Sequence, residues 1–402
     1  MNLKWFASQT VRQAGDMSKH VRKMLDAQRD ILSQQAIIAV EAALRELDSA
    51  VQNNGTEDTI RNRMTDLESA GNKWLKSYPN AGIRENVEVL LVALSVAMAI
   101  RTFIAQPFKI PTGSMQPTLF GVTSETLKGQ SAIKLPGILG RLYEGVVFGR
   151  FYHYQVAEDD GEIVDISPPE HILKFINKSE ITMRYRGGEK TYSFWMTPDD
   201  RFDARAGIYR GQTFRKGEEI VNFREVAGDH LLVDRLSYNF RRPTRGEIIV
   251  FETAGVGNSL YHLQPGQFYI KRMVAMGGEN VQIGNDRHLI IDGKRLDNTT
   301  PHFEKVYSFD PKVPAFDSHY SGHLNQTVAN AMGDPRLASI APLFPDQDAV
   351  YQIPPEHYMV MGDNTANSFD SRAWGEFSRT NVIGKYFFVY WPFTSRFGCS
   401  VR

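Results

Sequence analysis

The hydrophobic positions of the first 80 residues recur at helical spacing. From about Val21 to Val51 the apolar side chains fall three or four positions apart, and the run ends at the Asn-Asn-Gly of residues 53–55. A second stretch with the same spacing follows between Ile60 and Leu75. Polar residues occupy the positions in between, a pattern typical of amphipathic helices that pack on one another. We therefore expect a helical hairpin or coiled-coil segment here, whose apolar stripe is a packing seam.

An uncharged apolar run follows from Val89 to Ile100. Extended to Val87–Ile104 it makes about 27 Å of helix, just enough to cross the hydrocarbon core of a bilayer. Glu88 and Arg101 lie near its ends, where their charges reach the interface. Length alone leaves a membrane span and a buried core helix equally open. The run lies too far from the first residue to be a cleaved secretory signal, so a spanning helix here is a retained anchor.

After Phe108 the pattern changes from helical spacing to alternation. The apolar residues Ile181, Met183 and Tyr185 precede Gly187-Gly188, and Tyr192, Phe194 and Met196 follow it. This alternation on both sides of a Gly-Gly pair predicts a β-hairpin. The segment LIIDGKRL predicts a second hairpin, with Asp292-Gly293 at its turn.

Charge and cysteine content argue against several classes of protein. The chain of 402 residues has 46 Lys plus Arg and 46 Asp plus Glu, so no basic excess indicates a nucleic-acid partner. A single cysteine, Cys399, allows no intramolecular disulfide. The ten histidines show no zinc-binding spacing, so we expect no metal.

One serine stands in a rigid setting. In IPTGSMQPTL, residues 110–119, Pro111 and Pro117 fix the backbone on either side of Ser114. Gly113 removes the side chain that would block close approach by another backbone. This setting suits a nucleophile, although a serine between glycine and proline is on its own most often a turn residue with a solvated hydroxyl.

Three further boxes follow in order: GDHLLVDRLSY from Gly228, YIKRMVAMGGENV from Tyr269 and MGDNTANSFDSRAWG from Met361. Together with the serine box they resemble the type I signal peptidases, membrane-bound Ser-Lys proteases that remove leader peptides from exported proteins. The resemblance covers roughly residues 87–120, 228–284 and 356–386. Four boxes in the same order are far more specific than any one motif.

The resemblance implies a catalytic dyad. Ser114 would attack the scissile carbonyl, and Lys271 would act as general base and then protonate the leaving amine. Lys271 follows the apolar run 268–270, which could carry its amine into a dry pocket. Such burial must lower the lysine pKa to roughly 7 or 8, at a cost of about 3 to 5 kcal/mol. The Ser114 N–H and the Thr112 hydroxyl would form the oxyanion hole, whereas the plainer alternative has Thr112 capping the turn.

The last box would support the dyad. By resemblance Ser368 hydrogen-bonds and orients the lysine, while Asp363, Asp370 and Arg372 brace the loop; the plainer alternative for Asp370 and Arg372 is a surface ion pair of little energetic value. DNTANSFD also resembles a calcium loop faintly, but it has Ser368 in place of glycine and Trp374 in place of glutamate. No metal or organic cofactor is therefore expected.

Several residues depart from the pattern. Ala275, Gly277 and Glu279 stand where the family commonly has glycine, proline and aspartate, so the turn after the lysine is where a different path is expected. Thr365 stands where arginine is frequent. His230 could be nominated as a base, as in some relatives, but its context matches the structural Gly-Asp box, and we expect a packed or solvated histidine.

The resemblance also implies an organisation. We expect a helical, cytoplasmic segment over residues 1–80, a single transmembrane anchor over 87–106, and an extracytoplasmic catalytic domain over 107–402. That domain would be mainly antiparallel β, with insertions at 121–227 and 285–355, and would lie at the bacterial cytoplasmic (inner) membrane. The basic residues flanking the apolar run give only a weak orientation bias.

The substrates implied are signal peptides of preproteins, bound as an added strand and cut after small residues at −1 and −3, beside membrane lipid. Two alternatives stay open. One is a related Ser-Lys protease with a narrower substrate set, which the long insertion would suit. The other is a non-catalytic envelope scaffold, against which the intact set of Ser114, Lys271 and Ser368 argues.

Overall fold

The chain forms two compact units, Met1–Ser95 and Val96–Arg402. The computed structural model describes residues 9–53, 55–76, 81–129, 135–172, 176–195, 202–310, 312 and 322–399.

The first unit is built from helices. They are α1 (Gln9–Gln28), α2 (Gln34–Gln52), α3 (Glu57–Trp74) and the beginning of α4 (Ala81–Phe103). Leu25, Val40 and Leu67 are buried between α1, α2 and α3, as the predicted packing seam requires. The helical run expected from Val21 to Val51 is not continuous, because Ser33 caps a new helix by accepting a hydrogen bond from the Ala36 N–H.

Helix α4 has 23 residues, about 34 Å at the usual rise. In the part of the chain that the structure describes, it is the one helix long and apolar enough to cross a membrane. It ends at Phe103, and a strand begins at Ala105. Residues 105–106 of the predicted anchor are therefore extended, since they pair with a neighbouring strand rather than continue the helix.

The second unit is mainly antiparallel β. Its strands are β1 (Ala105–Lys109), β2 (Thr123–Thr126), β3 (Arg150–Val156), β4 (Gly161–Ile172), β5 (Ile176–Tyr185), β6 (Gly188–Trp195), β7 (Thr213–Phe214), β8 (Glu219–Val226), β9 (His230–Asp234), β10 (Ile248–Glu252), β11 (Phe268–Met276), β12 (Asn280–Ile283), β13 (Leu289–Ile291), β14 (Lys294–Arg295), β15 (Tyr351–Gln352), β16 (His357–Met361), β17 (Phe377–Ser378), β18 (Val382–Trp391) and β19 (Gly398–Cys399). Its helices are α5 (Ile138–Phe148), α6 (Phe202–Ala206), α7 (Gln326–Ala331) and α8 (Ser371–Trp374).

The largest sheet has the order β1-β9-β18-β10-β11-β16-β17, with β19 added to β18. Strand β10 is buried on both faces: Val250 packs with the serine box, whereas Ile249 and Phe251 pack on the opposite side. A second sheet, β14-β13-β12-β15, shares a core with residues of β11 and β16. This core takes in Phe303 and Phe344, so much of residues 285–355 packs directly on the main sheet.

Residues between the serine box and Gly228 form two smaller sheets, β2-β8-β3 and β6-β5-β4-β7, around a separate core that includes Ile163, Phe202 and Phe223. The hairpin predicted here is confirmed, because β5 and β6 pair with Tyr185 opposite Gly188; Met196 lies outside the described residues.

The hairpin at Asp292-Gly293 is confirmed as well, with φ of 48° and 76° at these two residues, as a type I′ turn requires. The observed architecture agrees with the predicted fold class.

Candidate active site

The serine box is held by the edge of the main sheet. After β1 the chain enters a short 3₁₀ helix, Gly113–Met115, which carries Ser114. Gly228 packs flat against this segment: a Cβ there would lie 1.9 Å from the Ile110 carbonyl oxygen, so only glycine fits. Asp229 accepts hydrogen bonds from the Phe120 N–H at 2.8 Å and from Arg396. These contacts fix both ends of the loop that presents the serine.

Strand β11 brings Lys271 to the serine. Paired with Ile249 of β10, Lys271 donates from Nζ to Ser114 Oγ at 2.7 Å and to its neighbour's carbonyl, Ile270 O, at 3.2 Å. Lys271 is only 5% exposed and Ser114 only 6%. The structure therefore brings together the two residues that the sequence predicts as nucleophile and base, in a setting with little water.

Burial shifts the Lys271 amine toward its neutral form. Burial lowers the pKa of Lys271 to about 8, while the carboxylates of Asp370 and Asp363 act in the opposite direction. About one lysine in ten is then neutral at pH 7, against fewer than about one in a thousand for an ordinary lysine. A buried base of this kind can accept the serine proton near neutral pH.

The last box, which begins at Met361, holds the backbone around Ser114 by hydrogen bonds. Asn364 donates from its backbone N–H to Ser114 O at 3.1 Å and from Nδ2 to Gly113 O at 3.2 Å. Gly362 lies beneath them: a Cβ there would approach Ser114 O to 2.5 Å and Ser368 Oγ to 2.2 Å. The glycine therefore permits the close approach of the two boxes.

Ser368 is buried next to the dyad but does not form the predicted bond. Lys271 Nζ donates to Ser114 and to its own strand, whereas Ser368 Oγ lies beside Asp370 and helps to lower the pKa of that carboxyl. The amine is directed by the register of β11 and by Ile270 O rather than by Ser368.

Asp370 and Arg372 form a fully buried ion pair. Arg372 donates to the two Asp370 oxygens from Nε at 2.8 Å and Nη2 at 2.9 Å, and the Gly362 N–H donates to Asp370 at 3.0 Å. Burial alone would raise the pKa of Asp370, but the Arg372 guanidinium lowers it overall. Arg372 also donates to Thr365 Oγ1 at 2.5 Å. The alternative of a solvated surface pair is wrong, since both side chains are 0% exposed.

A second buried ion pair was not predicted as such. Arg272 donates to Asp363 from Nε at 2.7 Å and Nη2 at 2.5 Å, and to Gly246 O at 2.7 Å. Thr118 adds a hydrogen bond to Asp363 at 2.5 Å. The pair ties the serine box, β11 and the last box together. Its signal in the sequence is an arginine within an apolar strand, which requires a carboxylate partner when buried.

Thr112 and His230 complete the set of predicted residues. Thr112 Oγ1 lies 3.5 Å from Ser114 Oγ, at the outer limit of a hydrogen bond. Its side chain makes no capping bond to the 3₁₀ helix, so the alternative capping role is not observed. His230 packs edge-on against Trp391 at 4.8 Å between ring centres, as expected of a packed histidine.

No group of three or more His, Cys, Asp or Glu side chains among the described residues has an arrangement suited to a metal ion.

A serine and a lysine in buried contact on an antiparallel β framework define a protein equipped for acyl transfer by a hydroxyl nucleophile. The family model described as "Signal peptidase, peptidase S26" matches residues 83–127 and 224–391, and the chain belongs to this family. The match omits residues 128–223, most of the segment with its own core, and runs without a break through residues 285–355.

Curated relatives agree. A signal peptidase I of Aquifex aeolicus is 32% identical over 188 residues, covering 41% of this chain and 70% of the relative. One from Leptolyngbya laminosa is 27% identical, covering 41% of this chain and 61% of the relative. The chain thus spans about three fifths of the length of several curated relatives, including one from Pseudomonas fluorescens at 60%.

Among solved structures, a signal peptidase I from Enterococcus faecalis V583 is 22% identical, covers 36% of this chain and 97% of that one, and has a TM-score of 0.22.

Proposed function

We propose that this protein is a membrane-anchored serine endopeptidase that removes N-terminal signal peptides from exported proteins, cutting after small residues at −1 and −3. The observation that carries the proposal is the 2.7 Å contact between Lys271 Nζ and Ser114 Oγ, with the lysine buried and its pKa lowered to about 8. Membership of the signal peptidase family supports the substrate class.

In the proposed mechanism neutral Lys271 accepts the proton of Ser114 while Oγ attacks the scissile carbonyl. The protonated lysine then donates this proton to the leaving amine, and an acyl-enzyme ester remains. Water, deprotonated by the same lysine, attacks the ester and releases the signal peptide and free Ser114. The amine needs no change of position between the two steps, because it is held between Ser114 Oγ and Ile270 O.

The developing oxyanion would receive hydrogen bonds from the Ser114 N–H and the Thr112 hydroxyl. The Thr112 hydroxyl has no competing cap to satisfy and already lies beside the nucleophile. Because threonine is branched at Cβ, its rotamer is more restricted than that of serine. The buried ion pairs of Asp363 and Asp370 would keep the loops rigid, and Ser368 would accept from the lysine once its bond to Ser114 is broken.

We further propose that α4 is the anchor in the bacterial cytoplasmic membrane, with the helices before it in the cytoplasm and the β unit outside. The helix has the length and hydropathy of a span. The orientation follows from the proposed activity, since the cleavage site of an exported preprotein emerges on the far side of the membrane.

The test is cleavage of a preprotein with an Ala-x-Ala site by the detergent-solubilised full chain. We expect the wild type to cut after the second alanine, as read from the mass of the product, and Ser114→Ala and Lys271→Ala to be inactive. Ser124→Ala and Lys294→Ala, at exposed positions, are the matched controls and should retain full activity. An inert wild type would overturn the proposal in favour of a scaffold or a narrower specificity, and an active Ser114→Ala variant would overturn the assignment of Ser114 as the nucleophile.

A further inference from the structure

Helix α5 turns its apolar face away from the protein. Its large apolar side chains are 59–86% exposed, namely Ile138, Leu139, Leu142, Tyr143 and Val146. At about 100° per residue these five positions fall within an arc of roughly 140°. The opposite side of the helix faces the fold, where Glu144 accepts a hydrogen bond from the Tyr152 hydroxyl at 2.6 Å. At the edge of the arc, a Cβ on Gly145 would lie 3.3 Å from the Phe151 ring. A helix that packs on a core has the opposite arrangement, with its apolar face buried and its polar face exposed.

The outward orientation is fixed by backbone contacts. Trp391 donates from its indole N–H to Val146 O at 2.7 Å, and the Phe393 N–H donates to Val147 O at 2.9 Å. At the end of the helix Gly149 adopts a left-handed conformation and packs against the Trp391 ring. Since the last turn is tied to the end of β18, the helix cannot simply rotate to bury its apolar side chains.

Further exposed aromatic residues lie on β18 and in the loop that follows it. Phe387, Phe393 and Phe397 are each nearly half exposed, and the rings of Phe393 and Phe397 lie 4.7 Å apart. Strand β18 pairs with β9, and β9 pairs with β1, which begins two residues after the apolar helix α4. Phe387 therefore lies on the part of the sheet that follows the proposed anchor, and Phe393 and Phe397 lie in the loop after β18, whose Phe393 N–H is bonded to the end of α5.

The composition of this surface favours lipid over water. The exposed arc of α5 carries no charge, and the charged residues of the helix, Arg141 and Glu144, lie outside it. Tyr143 and Trp391 combine an apolar ring with a polar group, a property that suits the bilayer interface. A helix with an apolar face opposite a charged or polar face lies in the plane of a membrane surface, with the apolar face among the lipids.

We propose that α5, together with Phe387, Phe393 and Phe397, rests in the lipid interface and holds the catalytic sheet against the bilayer. The proposal rests on membrane anchoring through α4. Because α5 lies within the residues that the family model leaves unmatched, its part of this contact is a feature of the added segment of this chain. It would keep Ser114 near the membrane surface, where a signal peptide emerges.

Fluorescence quenching tests the contact in the full chain. The one cysteine is removed by Cys399→Ser, and a single NBD probe is attached after Leu142→Cys or, as the control, Arg186→Cys at an exposed hairpin turn. The protein is placed in nanodiscs of phosphatidylethanolamine and phosphatidylglycerol, with one copy in each disc. We expect the probe at 142 to shift to the blue and to lose at least about half its intensity with lipids spin-labelled near the headgroup. The probe at 186 should do neither.

Equal, weak quenching at positions 142 and 186 would overturn the proposal. A blue shift at 142 that appears only on addition of a preprotein would assign the face to substrate instead. Energy transfer between probes in discs with two copies, without lipid quenching, would assign it to a second chain. None of these readouts requires activity, so a failure here is distinct from a failure of the proposed function.

A cleavage assay provides a second test of the membrane contact. Leu142→Glu combined with Val146→Glu changes only exposed side chains and leaves the Val146 carbonyl in place. We expect at least a several-fold slower cleavage of a preprotein inserted in vesicles and an unchanged rate on a soluble peptide in detergent. Equal rates on both substrates would contradict the proposal.

Discussion

Replacing the buried lysine should make the protein more stable while abolishing its activity. Lys271 is 5% exposed, and its pKa is lowered from 10.5 to about 8 by burial. At pH 7 the folded chain therefore holds a charge that costs roughly 3 kcal/mol relative to the unfolded chain. Methionine has a similar length and no charge. The lost hydrogen bond to Ser114 costs about 1 kcal/mol, so Lys271→Met should raise the free energy of unfolding by about 2 kcal/mol at pH 7.

The stability of the wild type should depend on pH in a direction that follows from the lowered pKa of Lys271. Because the unfolded lysine binds its proton more tightly, the stability of the wild type should rise as the pH increases from 8 to 10.5, and above that range both states are neutral. The gain from Lys271→Met should therefore disappear near pH 10.5.

Urea unfolding of the full chain in detergent, monitored by tryptophan fluorescence at pH 7 and pH 10.5, measures the difference in the free energy of unfolding between Lys271→Met and the wild type. The exposed Lys294→Met serves as control. A Lys271→Met variant that is less stable than the wild type at pH 7, or whose gain is the same at both pH values, would refute the reasoning.

Three further predictions concern the surroundings of the dyad. Thr112→Val should lower kcat by about 100-fold with little change in KM, whereas Thr112→Ser should keep most of the activity. Steady-state kinetics measures both variants. Equal losses in the two variants would mean that the Thr112 hydroxyl has no role. Gly362→Ala places a methyl group 2.5 Å from Ser114 O, so the serine must move, and kcat should fall by about 100-fold or more without global unfolding by circular dichroism. Asp370→Asn leaves the Arg372 guanidinium buried without its counter-charge and should destabilise the protein by about 3 to 5 kcal/mol in urea; a change below 1 kcal/mol would contradict a supporting role for this pair.

The contact between Ser114 and Lys271 could be expected from sequence because four boxes in the same order resemble one family, since each local signal alone favours an ordinary turn serine or surface lysine. Prolines and a glycine around Ser114 and an apolar run before Lys271 are local signals, and so are the two hairpin turns. The structure brings these boxes together through the pairing of β10 with β11 and of β11 with β16. The helical spacing of the first 80 residues likewise predicted helices there, but not the start of α1 at Gln9 or the break before α2, where Ser33 caps a new helix.

The features that were missed depend on contacts between distant parts of the chain. Arg272 and Asp363 are 91 positions apart, and nothing local identifies them as partners. The amine of Lys271 is directed by strand register to Ser114 Oγ and Ile270 O, which residue type alone does not reveal, and an orienting role for Ser368 stays a prediction. The apolar helix α4 ends at Phe103, before the predicted end of the anchor at 106, because β1 takes Ala105 into the sheet. The apolar spacing of α5 is readable, but only the docking of Trp391 shows that this face points outward.

The most direct test of Lys271 as the base is the pH profile of kcat/KM on a preprotein with an Ala-x-Ala site, since this profile titrates the base in the free enzyme. The rate should fall about tenfold for each pH unit below a single midpoint near 8, and Lys271→Ala should show no cleavage above background at any pH. A midpoint near 10.5, a flat profile, or a Lys271→Ala variant that keeps the wild-type profile would contradict the assignment of Lys271 as the base for Ser114.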